Sequence, residues 1–305
     1  MSEPILHSYD ASPFTQRVLR LLGIKNLRWR WVETPMMPPK DDLMILTGGY
    51  RGTPVLQIGA DIYIDSMLIA LELERRNPHP TFFPARDPGT ALAFVTWSDA
   101  FFRAGLEIIL AMSAHTWPES FRRDREFLFS DIDFASVAEG LAYARAQYRA
   151  HATLLERQLG DGRGFLGGEQ PGLADAFAQP FVWFMRGVLP EVAAEMLDDL
   201  PHVSAWERRV AERGEGQRTR IEAATALDEA LASSPQTRRE IDPRDAQGLQ
   251  AGMKVRVTPS DTRRGAVEGE IVIAMPNEIG ISRTHARTGS VVVHFPRIGY
   301  GVSQV

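Results

Sequence analysis

Thr53-Pro54-Val55-Leu56-Gln57-Ile58-Gly59-Ala60-Asp61-Ile62-Tyr63-Ile64-Asp65-Ser66 is the stretch on which the fold turns. Two short runs rich in β-branched residues flank Gly59-Ala60-Asp61, which reads as a hairpin, and Ser66 then caps an apolar helical run that reaches about Arg76. Upstream, Ile5 to Tyr9 reads as a strand. Ser12-Pro13 opens a helix with apolar positions at Phe14, Val18 and Leu21 or Leu22, and Gly23 marks its end. Leu27 to Val32 alternates like a half-buried strand, and Pro35 to Pro39 breaks the chain. A short helix over Asp41 to Leu46 then closes at Gly48-Gly49. The order is βαβαββα.

Beyond this unit, Pro78, Pro80, Pro84 and Pro88 mark a linker, and a helical period takes over. Its clearest stripe is Val137, Leu141, Ala144, Tyr148, Ala152, Leu155 and Leu159, at steps of three and four. Helices are expected near 90–113, 135–159, 172–188, 191–199, 201–213 and 217–233, with a charged connection of undefined shape over 117–134. A polar segment, Ser233 to Gln247, ends the helical part. The pattern then switches to period two at Val255/Val257, Ile271/Ile273, Ile279/Ile281 and Val291/Val293, which predicts four or five strands. Three domains are expected: 1–78, an all-helical 90–234, and a small β-barrel-like module over 248–305 of unassigned role, joined through a polar linker.

The 305 residues carry 34 Lys and Arg against 39 Asp and Glu, a net charge of -5, which argues against nucleic-acid binding through bulk charge. Residues 245–305 are only slightly basic, too little to change that reading. The start of the chain has no basic and apolar leader, and no apolar run approaches the roughly 18 residues of a membrane span, so a cytoplasmic, non-membrane protein is expected. There is no cysteine, which removes disulfides, thiolate metal sites and a protein thiol nucleophile together. His115, His151, His285 and His294 show no metal-ligand spacing, and no metal is expected. Gly162 to Gly167 spells GxGxxG, but it follows a helix rather than a strand, so it reads as an interhelical loop.

A βαβαββα unit with an X-Pro at its third strand, followed by an all-helical domain, resembles the cytosolic glutathione transferases. Ser12-Pro13-Phe14 is similar to the Ser-Pro-Phe or Cys-Pro-Phe that opens the first helix in several classes of that family. Thr53-Pro54-Val55-Leu56 looks like its cis-proline strand, and Ile64-Asp65-Ser66 like its acidic-Ser turn. Phe165-Leu166-Gly167-Gly168 and Leu173-Ala174-Asp175 resemble the loop and capping-box helix of its second domain, with Gly172 where a Ser or Thr is usual. The resemblance covers residues 5 to about 215 and does not account for 248–305. It implies a thioredoxin-like first domain, an all-α second domain and a homodimer.

Under that resemblance glutathione is the cosubstrate and no other cofactor is implied. Glutathione supplies the thiol that the chain lacks. At pH 7 a thiol of pKa near 8.5 is only about 3% thiolate, and lowering that pKa by two units requires roughly 2.7 kcal/mol. The N-terminus of the first helix provides unpaired N–H groups and partial positive charge there, and Ser12 is the candidate hydroxyl, although a serine at that position can equally be a plain N-cap. Tyr9 is the competitor and Thr15 a third donor option; Phe14 and Arg17 lie within reach. The resemblance makes the Thr53–Pro54 bond cis, with the Thr53 backbone exposed to pair with the tripeptide. Arg51 is placed to meet a carboxylate, while Gly52 stands where some classes carry a basic residue. Asp65 and Ser66 would hold the γ-glutamyl ammonium and carboxylate.

Phe94, Trp97, Phe101 and Phe102 read first as core, but Phe101 and Phe102, with Met112 and Trp117, are candidates to line an apolar pocket for an electrophile. The expected activity is thiolate attack on such an electrophile, by conjugation or thiol-assisted isomerisation. The alternative is a non-catalytic binding or scaffold protein acting through its β module. Thiol–disulfide exchange through a protein thiolate is excluded by the absence of cysteine.

Overall fold

A computed structural model describes residues 3–236 and 239–305. They form two compact units, one of residues up to Thr15, Arg28–Glu72 and Gln217–Val305, the other of Gln16–Leu27 and Leu73–Gly216.

The first unit is built on one sheet. β1 (Ile5–Ser8) pairs in parallel with β2 (Arg28–Glu33) and antiparallel with β3 (Val55–Ile58), which forms a hairpin with β4 (Asp61–Ile64). With α1 (Pro13–Ile24), α2 (Asp41–Thr47) and α3 (Ser66–Arg76) this is the thioredoxin-like βαβαββα order. The side chain of Gln57 ties the strands together: its carbonyl oxygen accepts from His7 Nε2 (2.9 Å), and its amide donates to the Ala226 carbonyl (2.8 Å).

The expectation of a helix over 217–233 is corrected. Gln217–Arg220 is a strand, β5, parallel to β2 with Arg218 opposite Trp29, and only Ala223–Leu231 is helical, here α10. Gly214 and Gly216, both at positive φ, end the preceding helix, and a side chain on Gly216 would lie 2.4 Å from the Leu27 carbonyl oxygen.

The last strands are β6 (Glu240–Ile241), β7 (Lys254–Pro259), β8 (Val267–Met275), β9 (Glu278–His285), β10 (Gly289–Pro296) and β11 (Tyr300–Gln304). They form a β module whose sheet is continuous with that of β1 to β4. β10 pairs in parallel with β4, Val293 opposite Ile62, so the sheet runs without a break in the order β11-β7-β8-β9-β10-β4-β3-β1-β2-β5, with β6 beside β8. One apolar core includes Leu43, Leu46, Val55, Ile62 and Ile64 together with Val255, Ile271, Ile281, Val293 and Phe295. Arg283 of β9 donates to the Ile45 carbonyl at the end of α2 (2.7 Å), a favourable place for a cation. Residues 248–305 therefore finish the first unit's core.

At the β4–β10 seam, the buried His294 ring stacks on Tyr63 (centroids 4.3 Å apart) between Glu278 Oε1 (2.6 Å from Nδ1) and Asp61 Oδ1 (3.3 Å from Nε2). Burial works against its charge, but the two carboxylates outweigh burial and raise its pKa. His7 goes the other way: burial outweighs its bond to Gln57 and the field of Asp42, and lowers its pKa to about 4. The signs follow by linkage. The His294 contribution is present in full at acid pH and fades as pH rises through its raised value, whereas His7 costs stability as pH falls from about 6.5 towards 4, by about 3 kcal/mol. Urea midpoints measured against pH should therefore fall on both sides of neutrality, and His294→Gln should flatten the alkaline limb alone. A wild-type midpoint that stays level from pH 6.5 to 4.5 contradicts the His7 assignment.

The second unit is helical: α4 (Pro88–Ser113), α5 (Glu119–Leu128), α6 (Leu141–Leu159), α7 (Leu173–Val188), α8 (Pro190–Leu197) and α9 (Pro201–Ala211). α4 packs on α6 and α7, and α9 on α6 and α7. The stripe read from sequence is buried at Ala144, Tyr148, Ala152, Leu155 and Leu159. The charged connection over 117–134 contains α5, which buries no residue. At the head of α7, the Asp175 carboxylate accepts from the Leu166 and Gly172 amides (2.8 and 2.9 Å) and from Trp206 Nε1 (2.7 Å). Among the described residues no helix is long and apolar enough to cross a membrane, and no group of three or more His, Asp or Glu side chains could hold a metal ion.

Candidate functional site

The loop from β1 to α1 carries Tyr9 and Ser12. Ser12 is buried; its backbone N–H donates to the Tyr9 carbonyl (3.2 Å), and its Oγ accepts from the Thr15 amide (3.3 Å). That is an N-cap, the bland reading of Ser12, yet it uses only the hydroxyl's acceptor side and leaves its proton free to point elsewhere. Thr15 is fully buried, and its Oγ1 has no hydrogen-bond partner. Lys40 Nζ lies 5.3 Å from the ring centre of the half-buried Tyr9. Phe14 follows at the start of α1, half-buried.

Arg218 straps this loop, a contact hidden from the sequence because residues 217–220 are read there as helix. Its two terminal nitrogens donate to the two Asp10 carboxylate oxygens (3.0 and 2.9 Å), and its guanidinium carbon lies 3.6 Å from the Trp31 ring centre. Trp31 Nε1 in turn donates to the Ser8 carbonyl (3.2 Å). The loop is thus held at Ser8 and at Asp10, on either side of Tyr9 and two residues before Ser12.

The Thr53–Pro54 bond is cis, and the β3 ladder pairing begins only at Val55, so Thr53 stands beyond the last ladder pair. Asp65 takes φ 80°, a left-handed backbone that non-glycine residues rarely adopt. Its carboxylate accepts from the Met67 amide (2.8 Å), capping α3, and the buried Ser66 is the first residue of that helix. A strained residue retained at a turn that aims a helix N-terminus is characteristic of binding sites. The first unit thus carries Tyr9, Ser12, Phe14, Thr15, Arg51, Thr53, Pro54, Asp65 and Ser66 together.

The apolar candidates lie in the second unit. Phe101 has no exposed surface; its ring packs on Tyr148 (4.7 Å) and Trp97 (5.5 Å), and with Phe102, Phe181 and Met185 it borders a tight apolar crevice. Phe102 packs on Phe181 (4.9 Å) and is only partly buried. Met112, near the end of α4, is half-buried, and Trp117 packs edge-on against Phe121 (5.0 Å). Arg17 is buried inside this unit, paired with Asp99 (2.6 Å) over the rings of Phe177 and Phe181. It serves packing there.

The model of the glutathione S-transferase N-terminal domain matches residues 6–81, and that of the C-terminal domain matches residues 102–209. A GST-like protein from Pseudomonas syringae is 34% identical, covers 100% of both chains and superposes with a TM-score of 0.82. A Tau class glutathione S-transferase from mango, Mangifera indica, is 19% identical over 68% of this chain and 88% of its own, with a TM-score of 0.54. The β-etherase LigF from Sphingobium is 18% identical over 68% of this chain and 94% of its own, also with a TM-score of 0.54. No curated protein matches.

Proposed function

Because the chain belongs to the glutathione S-transferase family, we propose that it binds glutathione along Thr53, Asp65 and Ser66 and presents the thiolate at the N-terminus of α1 to an apolar electrophile. The observation that carries the reading is the Asp65–Ser66 turn. Its left-handed Asp65 leads into the N-terminus of α3, where a γ-glutamyl carboxylate would gain from the helix dipole and the Ser66 hydroxyl. Thr53 offers backbone groups beyond the end of its ladder to an extended peptide.

At the other end, the Ser12 hydroxyl can donate to sulfur while its oxygen still accepts from the Thr15 amide, so cap and thiolate partner are compatible roles. The mechanism needs no protein nucleophile: the glutathione thiol gives its proton to solvent on binding, and the thiolate forms the C–S bond as the electrophile's leaving group departs with the electron pair of the bond it breaks, or as the π pair of an activated double bond is displaced and takes up a proton. Phe101, Phe102, Met112 and Trp117 are the candidates for the electrophile's apolar contacts. Glutathione is the only cosubstrate this chemistry requires.

Two variants test the reading. Ser12→Ala should lower kcat/KM about tenfold to a hundredfold, since one charge-assisted hydrogen bond contributes about 1.5–3 kcal/mol, and should move its pH profile towards alkaline values. Asp65→Ala with Ser66→Ala should instead raise the KM for glutathione while kcat stays close. If thiolate absorbance survives in Ser12→Ala but disappears in Tyr9→Phe, the hydroxyl belongs to Tyr9. Failure of the wild-type protein to be retained on immobilised glutathione would favour a binding or scaffold role.

We also propose that the protein is a homodimer. Because β10 already pairs with β4, the contact must use surfaces other than that strand edge. Sedimentation at micromolar concentration should report two chains; a monomer there counts against it.

A further inference from the structure

We propose that Arg264, on the loop joining β7 to β8, supplies the cation that holds the glycyl carboxylate of glutathione, so that the C-terminal β module contributes directly to the ligand site. The inference rests on the glutathione reading above and adds a residue from a part of the chain which that reading leaves without a role.

The backbone places the loop. The Arg51 amide donates to the Arg264 carbonyl (2.7 Å), two residues before Thr53. Gly265, at φ +94°, sits so close that a side chain on it would lie 2.4 Å from the Gly49 carbonyl oxygen. Only glycine permits this approach, so the loop is fitted against residues 49–51.

The side chains then explain Gly52. A Cβ at that position would lie 2.5 Å from Cζ and Oη of Tyr50, so the Tyr50 ring covers the place that a side chain at 52 would take. The same hydroxyl accepts from Arg264 Nη1 (3.4 Å). A positive charge is therefore delivered beside residue 52 from the neighbouring loop, at a position that cannot itself carry a basic residue without displacing Tyr50.

The polar chain continues from Tyr50 to the last strand. Tyr300 Oη lies 3.5 Å from Tyr50 Oη, and Tyr300 is held protonated first by burial, then by Tyr50 and by the charge of Asp65. Arg264, Tyr50 and Tyr300 thus form one polar chain beside residue 52. Asp65 and Ser66 take the γ-glutamyl end, which leaves the guanidinium for the opposite carboxylate. The Arg264 side chain is 20% exposed, so a carboxylate meeting it is only partly screened by solvent, and its fork geometry suits that group. Its present carboxylate partner, Asp261 (2.6 Å), is 57% exposed and steadies the guanidinium without burying it.

Calorimetry on the full chain tests the assignment with two ligands: glutathione and its analogue with the glycyl carboxylate converted to the amide. Wild type should bind the amide at least about tenfold more weakly. Arg264→Ala should weaken glutathione binding about tenfold to a hundredfold, leave the amide within about threefold, and be partly rescued by Arg264→Lys. Glutathione binding unchanged in Arg264→Ala, or lost in Arg51→Ala alone, overturns the proposal. So does equal weakening for both ligands in a variant with wild-type circular dichroism. Should the variants fail to fold, wild type that does not discriminate between the ligands overturns it equally. Wild type that binds neither ligand overturns the glutathione reading itself, together with this inference.

Discussion

A chain ended at Ser234 should be recovered unfolded or aggregated, with no glutathione binding. Such a cut removes β6 to β11 and strips one side from a core in which Leu43, Leu46, Val55, Ile62 and Ile64 are at most 5% exposed. Five apolar side chains returned even in part to water, at about 1.5–3 kcal/mol each when fully exposed, are enough to consume a stability of about 5–15 kcal/mol. The cut also frees the β4 edge, whose backbone groups now pair with β10, and an apolar, unpaired edge is a template for aggregation. Solubility, far-UV circular dichroism and urea titration check the outcome. A soluble truncated chain that unfolds cooperatively at the wild-type midpoint and still binds glutathione would show that the module is an appendage.

Asp175→Ala should cost about 3–5 kcal/mol, measured as a fall in the urea midpoint at constant slope. The carboxylate is fully buried and serves three donors, the Leu166 and Gly172 amides and Trp206 Nε1. Burial raises its pKa, and the three hydrogen bonds only partly offset this. Alanine would leave three buried N–H groups without an acceptor, each an unmade bond of about 1–3 kcal/mol before relaxation. Trp206→Phe deletes one donor and keeps the carboxylate, so it should cost clearly less. Equal losses in the two variants would mean that packing around Trp206, not the carboxylate, carries the stability.

Much of this was legible because local chemistry and final geometry agree. Ser12-Pro13 begins a helix, Gly59-Ala60-Asp61 turns a hairpin and Ser66 begins α3, each for reasons contained within a few residues. The failures are long-range. Gln217-Arg218-Thr219-Arg220 is too short and polar to show a strand period; it is extended because β2 and the Trp31 ring receive it. That Phe101 is fully buried is likewise set by its neighbours, Tyr148 and Trp97, and not by its residue type. The pairing of β10 with β4 joins segments with no shared motif, and Asp61 gives β4 the charge that a solvent-facing edge strand would also carry, so only the structure shows all four of its residues buried. Arg264 was invisible as a site residue for the same reason: nothing in Asp261-Thr262-Arg263-Arg264-Gly265 names the loop it meets.

The β4–β10 pairing also sets an order of assembly during synthesis. Ile62 and Val293 lie about 230 positions apart, so this part of the sheet must wait for nearly the whole chain to leave the ribosome, and its closure carries the entropy of a very long loop. The strands made first are thus the last to be completed, with β4 unpaired on one side while the helical segment emerges and folds. A nascent chain with such an exposed edge is a natural client for a holding chaperone, and its yield in cells should depend on how soon translation reaches β10.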